Sequence, residues 1–293
     1  LKIALGGHNE LNANLMLDWP AVRVGFITQL LWNRYGSFWK KLLKDAGAEI
    51  VLPEPGVVGS GPDDYRLQKI PSFIFRLSAA QALALRDDVD LLIVPDLSEG
   101  VEVNRGAGQD PWVAQFSETL QSVVGSFPQI LSVPVSLTPT IKGRAIEVLQ
   151  HILQDSASVR RVWERNQAYA RYRWRQEGVQ ELTSNYHLVG FIGQPWVVGA
   201  QSLRYFKSDS YSVLSQSTFD PQVLRREAST VESELLPSDM EALGAARLFN
   251  RRGDVTRLIV VADRISSDDW LLRFIQRKSH KPVESVQLED LLN

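Results

Sequence analysis

The 293 residues contain no cysteine. That excludes disulfides, thiolate-bound zinc, iron–sulfur clusters held by cysteine alone, and every thiol nucleophile. An excess of one charge is missing too: 32 Lys and Arg face 34 Asp and Glu, a net charge of −2 with a pI near 6.2. No global field therefore favours nucleic acid or an anionic membrane as a partner. The longest apolar runs, around Val89–Val94 and Leu258–Ala262, are strand-sized and far short of a membrane span. The chain opens on no charged and apolar leader, so a soluble, cytoplasmic protein is expected. His8, His151, His187 and His280 are scattered, and none belongs to a His-Glu-x-x-His pattern. No metal and no other cofactor is expected. A Gly-x-Ser-x-Gly elbow is also absent, which leaves a serine hydrolase of that type unsupported.

What is present is the composition of a globular protein, 44% apolar and 23% charged, at a length that fits two domains of ordinary size. Short apolar runs alternate with amphipathic stretches. Val22–Thr28 reads as a strand, Phe38–Ala46 as a helix stopped by Gly47, and Glu49–Leu52 as a second strand. A helix over Ala79–Arg86, a strand over Asp90–Pro95, a helix over Val113–Gly125 and a strand over Gln129–Val133 follow. From Lys142 to about Glu181 the pattern is helical throughout, with a break near Asp155–Ser158. A second alternating unit then runs through strands at Leu188–Ile192, Ser212–Leu214, Arg257–Ala262 and Val283–Gln287, with helices at Ala200–Lys207, Ser238–Asn250 and Asp268–Lys278. The expected fold class is α/β: two Rossmann-like open parallel-sheet lobes, residues 1–141 and 184–293, joined by a long helical element over 142–183.

Two local motifs have plain readings. Gly56-Val-Val-Gly-Ser-Gly61 follows a strand, but it lacks the Gly-Lys-Ser/Thr ending of a phosphate loop and runs into Pro62 and two aspartates, so it reads as a connection. Arg160–Arg175 interleaves six arginines with Trp163, Tyr169, Tyr172 and Trp174, a mixture that can bind single-stranded nucleic acid. Across Lys142–Leu182, however, eight Lys and Arg face five Asp and Glu, which fits a solvated helix face with an aromatic packing stripe. Three strand-end loops sit where doubly wound sheets hold ligands: Thr28, Gln29 and Trp32 after the first strand, Gln194 and Trp196 after the first strand of the second unit, and Asp263 after its last long strand.

At these loops the chain resembles the 2-hydroxyacyl-CoA dehydratase component family, and more closely its dehydratase-activator-associated branch. The likeness rests on Gly25-Phe-Ile-Thr-Gln-Leu-Leu-Trp-Asn-Arg-Tyr-Gly-Ser-Phe-Trp39, on the helix, glycine stop and strand after it, and on Gly190-Phe-Ile-Gly-Gln-Pro-Trp196. Ser267-Asp-Asp-Trp-Leu-Leu-Arg-Phe-Ile, Lys281-Pro and Val286-Gln-Leu-Glu289 continue it to the C-terminus. The resemblance implies a cluster bound through cysteines at strand-end loops. Carried over, the family's Cys-x-Pro falls on Lys69-Ile-Pro71, its Cys-Pro on Asp110-Pro111, and its Cys-Gly-Pro-Asp on Ile265-Ser-Ser-Asp268. Gln194 and Ala200 also depart from the Arg or His and the Asp expected there.

An ammonium and an isoleucine side chain have no lone pair for iron, and one carboxylate cannot replace several thiolates. The resemblance therefore implies a cluster-less relative in which Lys69 and Asp110 form a charge pair across the former cluster cavity. Three functions stay open. The chain keeps an inter-lobe cleft for a small or acyl-CoA-like molecule, or serves as a protein partner's subunit. Alternatively it is an enzyme whose chemistry has moved to Lys69, Asp96, Asp110 and Asp263. The third is a scaffold.

Overall fold

The computed structural model describes residues 21–54, 64–98, 106, 110–137, 141–170, 188–200, 203, 211–263 and 266–292. The first half builds a four-stranded sheet from β1 (Arg23–Phe26), β2 (Glu49–Val51), β3 (Leu91–Asp96) and β4 (Gln129–Pro134). Every neighbouring pair is parallel and the order is β2-β1-β3-β4. The second half repeats this arrangement with β5 (Leu188–Gly193), β6 (Ser212–Ser215), β7 (Val255–Ala262) and β8 (Val283–Gln287), in the order β6-β5-β7-β8. In each sheet the chain leaves the first strand in one direction and later returns on its other side. The topological switch point, where such folds hold ligands, thus lies at the carboxyl ends of β1 and β3 and again at those of β5 and β7.

Helices fill the crossovers. The first sheet carries α1 (Trp32–Asp45), α2 (Tyr65–Gln68), α3 (Phe73–Leu85), α4 (Pro111–Ala114) and α5 (Phe116–Val124). Between the sheets run α6 (Ile141–Gln150) and α7 (Ser156–Asn166). The second sheet carries α8 (Pro195–Val198), α9 (Pro221–Ser229), α10 (Pro237–Arg251), α11 (Ser266–Lys278) and α12 (Leu288–Leu292).

Several boundaries move from their sequence expectation for local reasons. Ser72 caps the amide of Phe75, so α3 starts at Phe73 rather than near Ala79. Trp32 belongs to α1 and not to the loop before it. The helix expected over Val113–Gly125 is two, because Gln115 leaves helical geometry at ψ 41°. The helical connector does break: Asp155 caps α7 by accepting from the Ser158 amide at 2.7 Å. Its remaining residues, 171–183, lie outside the described residues, as does most of the helix expected over Ala200–Lys207. The loop Gly56–Gly61, His8, His187 and Ile265 also lie outside them.

Alternation along the second sheet explains its packing. Val189 and Phe191 on β5, with Ile259 and Val261 on β7, join the same apolar core as β1, β3 and α1. Leu188 and Ile192, with Leu258 and Val260, face a second core made with α9, α10 and α11. Side chains one apart on a strand point to opposite faces. One face of the second sheet therefore continues the core of the first lobe.

Candidate functional site

The carboxyl ends of both sheets meet, and the residues there are tied to each other. Asp263, directly after β7, is 1% exposed. Its carboxylate accepts from Ser72 Oγ at 2.7 Å and from the amides of Phe73 at 2.7 Å and Ile74 at 3.2 Å. Those donors form the first turn of α3, in the other lobe. A carboxylate there satisfies amides that the helix itself leaves unpaired, and the helix dipole favours its charge. Burial pushes the Asp263 carboxyl up to about 7, the Ser72 hydrogen bond opposes that, and the charge of Asp110 adds to the rise.

Asp110 is 3% exposed and caps α4, accepting from the Trp112 amide at 2.9 Å. Residues near the three positions singled out in the sequence thus approach one another: Ser72 lies three residues after Lys69, Asp263 two before Ile265, and Asp110 is itself the third. Lys69 does not join them. It is exposed, with its ammonium 5.9 Å from the Tyr65 ring centroid, and among the described residues no ion pair links it to Asp110. The expected charge pair is therefore not formed. Solvent and an aromatic face stabilise the ammonium better than a buried position would.

The other predicted residues divide in two. Thr28 and Gln81 exchange hydrogen bonds, Thr28 N to Gln81 Oε1 at 2.8 Å and Gln81 Nε2 to Thr28 Oγ1 at 3.0 Å. Gln29 is fully buried beside them in the chain. Gln194 is 2% exposed and donates to Asp239 Oδ1 at 3.1 Å. Trp196 is a core residue, and Trp32 packs against Phe26 and Tyr35 with ring centroids at 5.1 and 5.5 Å. Asp96 stands apart: it is exposed and accepts from the amide and hydroxyl of Ser98, a local turn. Asp268 lies in α11 and its side chain is outside the described residues.

Sequence reasoning missed the second tie between the lobes. Glu241 on α10 is fully buried and receives Arg34 of α1 in a bidentate pair at 3.1 and 2.6 Å, and Arg225 of α9 at 2.6 Å. Burial alone would raise the Glu241 carboxyl; the two guanidiniums outweigh it and hold the group below the usual carboxylate range. A legible signal existed, since Glu241 stands at helical spacing with Ala245 and Phe249, a carboxylate on an apolar stripe. Arg76 of α3 to Glu289 of α12, at 3.1 Å, is a third tie.

Backbone strain marks the same junction. Leu30 and Leu31, between β1 and α1, have φ of 50° and 67° and are buried. Two leucines in left-handed geometry cost about 1–2 kcal/mol each. The Leu31 side chain reaches Gly199 at the end of α8, where an added Cβ would lie 3.5 Å from it. Away from the junction, a groove of about 730 Å³ opens between α6 and α7, lined by Ile146, Val159, Arg160 and Trp163. It shares no residue with the strand-end loops. Among the described residues there is no group of three or more His, Asp or Glu placed to hold a metal, and no helix long and apolar enough to cross a membrane.

No family model and no curated protein matches the chain. Among solved structures, a GTP-binding protein from the hyperthermophilic archaeon Sulfolobus solfataricus, in complex with GDP, is similar at 11% identity. The similarity covers 92% of this chain and 94% of that one at a TM-score of 0.26, too slight to carry any inference about fold or ligand.

Proposed function

We propose that this chain is a cluster-less relative of the 2-hydroxyacyl-CoA dehydratase components that acts as a non-redox partner subunit. The observation that carries this reading is Asp263. It bonds Ser72 across the lobes; Ser72 and Asp263 neighbour, and Asp110 occupies, the positions at which the resemblance expects cysteine ligands. At the positions where the resemblance expects thiolates stand Lys69, Asp110 and Ile265, and Asp263, two residues before the last of them, puts a buried carboxylate on a helix N-terminus. Its oxygens are engaged by the protein's own donors, which favours a closed scaffold over an open ligand cleft.

Anaerobic reconstitution with ferrous iron and sulfide tests it. The expected product has no stoichiometric iron and no visible absorption band, and a stoichiometric chromophore overturns the reading. Thermal-shift measurements with CoA thioesters separate the partner role from a small-molecule cleft, because a ligand specific to the folded state raises the melting temperature. A second reading, acid–base catalysis, has one observation in its favour: a carboxyl at about 7 can both take and give a proton at neutral pH. It requires turnover that disappears in Asp263→Asn while the fold persists.

A further inference from the structure

Within the net charge of −2, the carboxyl-terminal part of α11 carries a small basic cluster, preceded in the same helix by Asp268 and the exposed Asp269. From Trp270 to Lys281 the chain carries four Lys and Arg and no Asp or Glu. The tertiary structure sorts these residues. Leu271 and Ile275 are fully buried, and Phe274 is 7% exposed, so they anchor α11 on the second core. Lys281 is turned inward onto the carbonyls of Arg252 and Val255. Arg273, Gln276, Arg277 and Lys278 are left exposed, and Trp270 is half-buried. Among the described residues no carboxylate lies within ion-pair distance of Arg273, Arg277 or Lys278. Other arginines of this lobe do have partners: Arg252 pairs with Asp254, Arg257 with Glu284, and Arg251 with Glu227.

Trp270, Arg273, Gln276 and Arg277 line one groove of about 480 Å³. The Trp270 ring lies nearly parallel to Phe274, with centroids 4.7 Å apart and planes 13° apart. The Lys278 ammonium sits 5.9 Å from the Phe274 centroid. This is an aromatic stack bordering a groove, with exposed guanidiniums beside it. A planar base extends such a stack, and phosphates meet the guanidiniums. An anionic membrane fits less well. Peripheral helices insert a broad apolar face, and on α11 that face is consumed by the core. We infer that the exposed face of α11 binds single-stranded nucleic acid, with Trp270 as the stacking platform and Arg273 and Arg277 on the phosphates.

The test is fluorescence anisotropy of a labelled oligothymidylate with the full chain as potassium chloride is raised. Binding that weakens steeply with salt is expected. Trp270→Ala should weaken it about tenfold, the loss of one stacked base. Arg273→Glu with Arg277→Glu, both at exposed positions, should lower the slope of log affinity against log salt by about 1.4, from ~0.7 for each phosphate contact. Lys40→Glu, on the exposed side of α1, should change neither. The inference is overturned by no salt-sensitive binding, by Arg variants that match the parent, or by an equal loss in Lys40→Glu. A Trp270→Ala protein with a native circular dichroism spectrum and undiminished affinity also overturns it. So does tight binding to phosphatidylserine vesicles that the oligonucleotide fails to displace.

Discussion

Single residues at the lobe junction combine stabilising and destabilising features. The Asp263 carboxyl stands at about 7 against an ordinary 3.8, so the folded chain holds this proton more tightly than the unfolded one. Its contribution to stability is therefore complete below about pH 4 and is lost as pH rises to 7. Relative to Asp263→Asn, the parent protein should lose roughly 4 kcal/mol across that window. Urea titrations of both proteins at intervals of pH would check this, and parallel curves would contradict it. Tyr35 gives the opposite case. It is fully buried, among the described residues its hydroxyl has no hydrogen-bond partner, and burial pushes its phenol far up. Removing that hydroxyl in Tyr35→Phe should stabilise the fold by about 1 kcal/mol, read as a higher melting temperature. Neither property was legible in the chain. Asp263 was visible as a polar residue after a strand, but its acceptor role depends on Ser72, 191 positions away.

At the scale of elements, two glycines in helices make a controlled pair. Gly244 lies where α10 crosses α9, and a Cβ there would come within 2.0 Å of the Leu224 carbonyl oxygen. Gly244→Ala should destabilise by about 3 kcal/mol or prevent folding, because backbone must move to admit the methyl group. Gly143 on α6 has nothing among the described residues within 4 Å of an added Cβ. Gly143→Ala should raise stability by about 0.5–1 kcal/mol through helix propensity alone. Thermal denaturation of the two variants should show opposite signs. Strand positions were readable because short apolar runs bounded by polar turns have little alternative in this composition, and β4, β5 and β8 lie within a residue of expectation. Helix starts were less readable. The start of α3 depends on Ser72 and that of α4 on Asp110, each placed by its contacts and by a proline whose effect on the boundary is only local.

For the whole molecule, the core shared by both sheets and the buried Arg34–Glu241–Arg225 triad predict one cooperative unit. Calorimetry should give a single transition with calorimetric and van't Hoff enthalpies in agreement. Glu241→Ala should cost about 3–5 kcal/mol, because Arg34 is left mostly buried without its counter-charge. Two separate transitions in the parent protein would contradict this account. Glu241 is held below the ordinary carboxylate range, so its contribution persists at neutral pH and is lost as pH falls through its folded value.

The sequence by itself determined two things. Alternating strand-sized and helical runs dictate parallel sheets, because each element must bury a face against a neighbour of the other kind. The absence of cysteine removes thiolate ligands whatever the fold. Only the tertiary structure decided how the two sheets meet. Their junction is made by residues distant in the chain, Asp263 with Ser72 and Arg34 with Glu241. Such pairings leave no periodicity to read, since hydrogen bonds and ion pairs depend on position in space and not on spacing along the backbone.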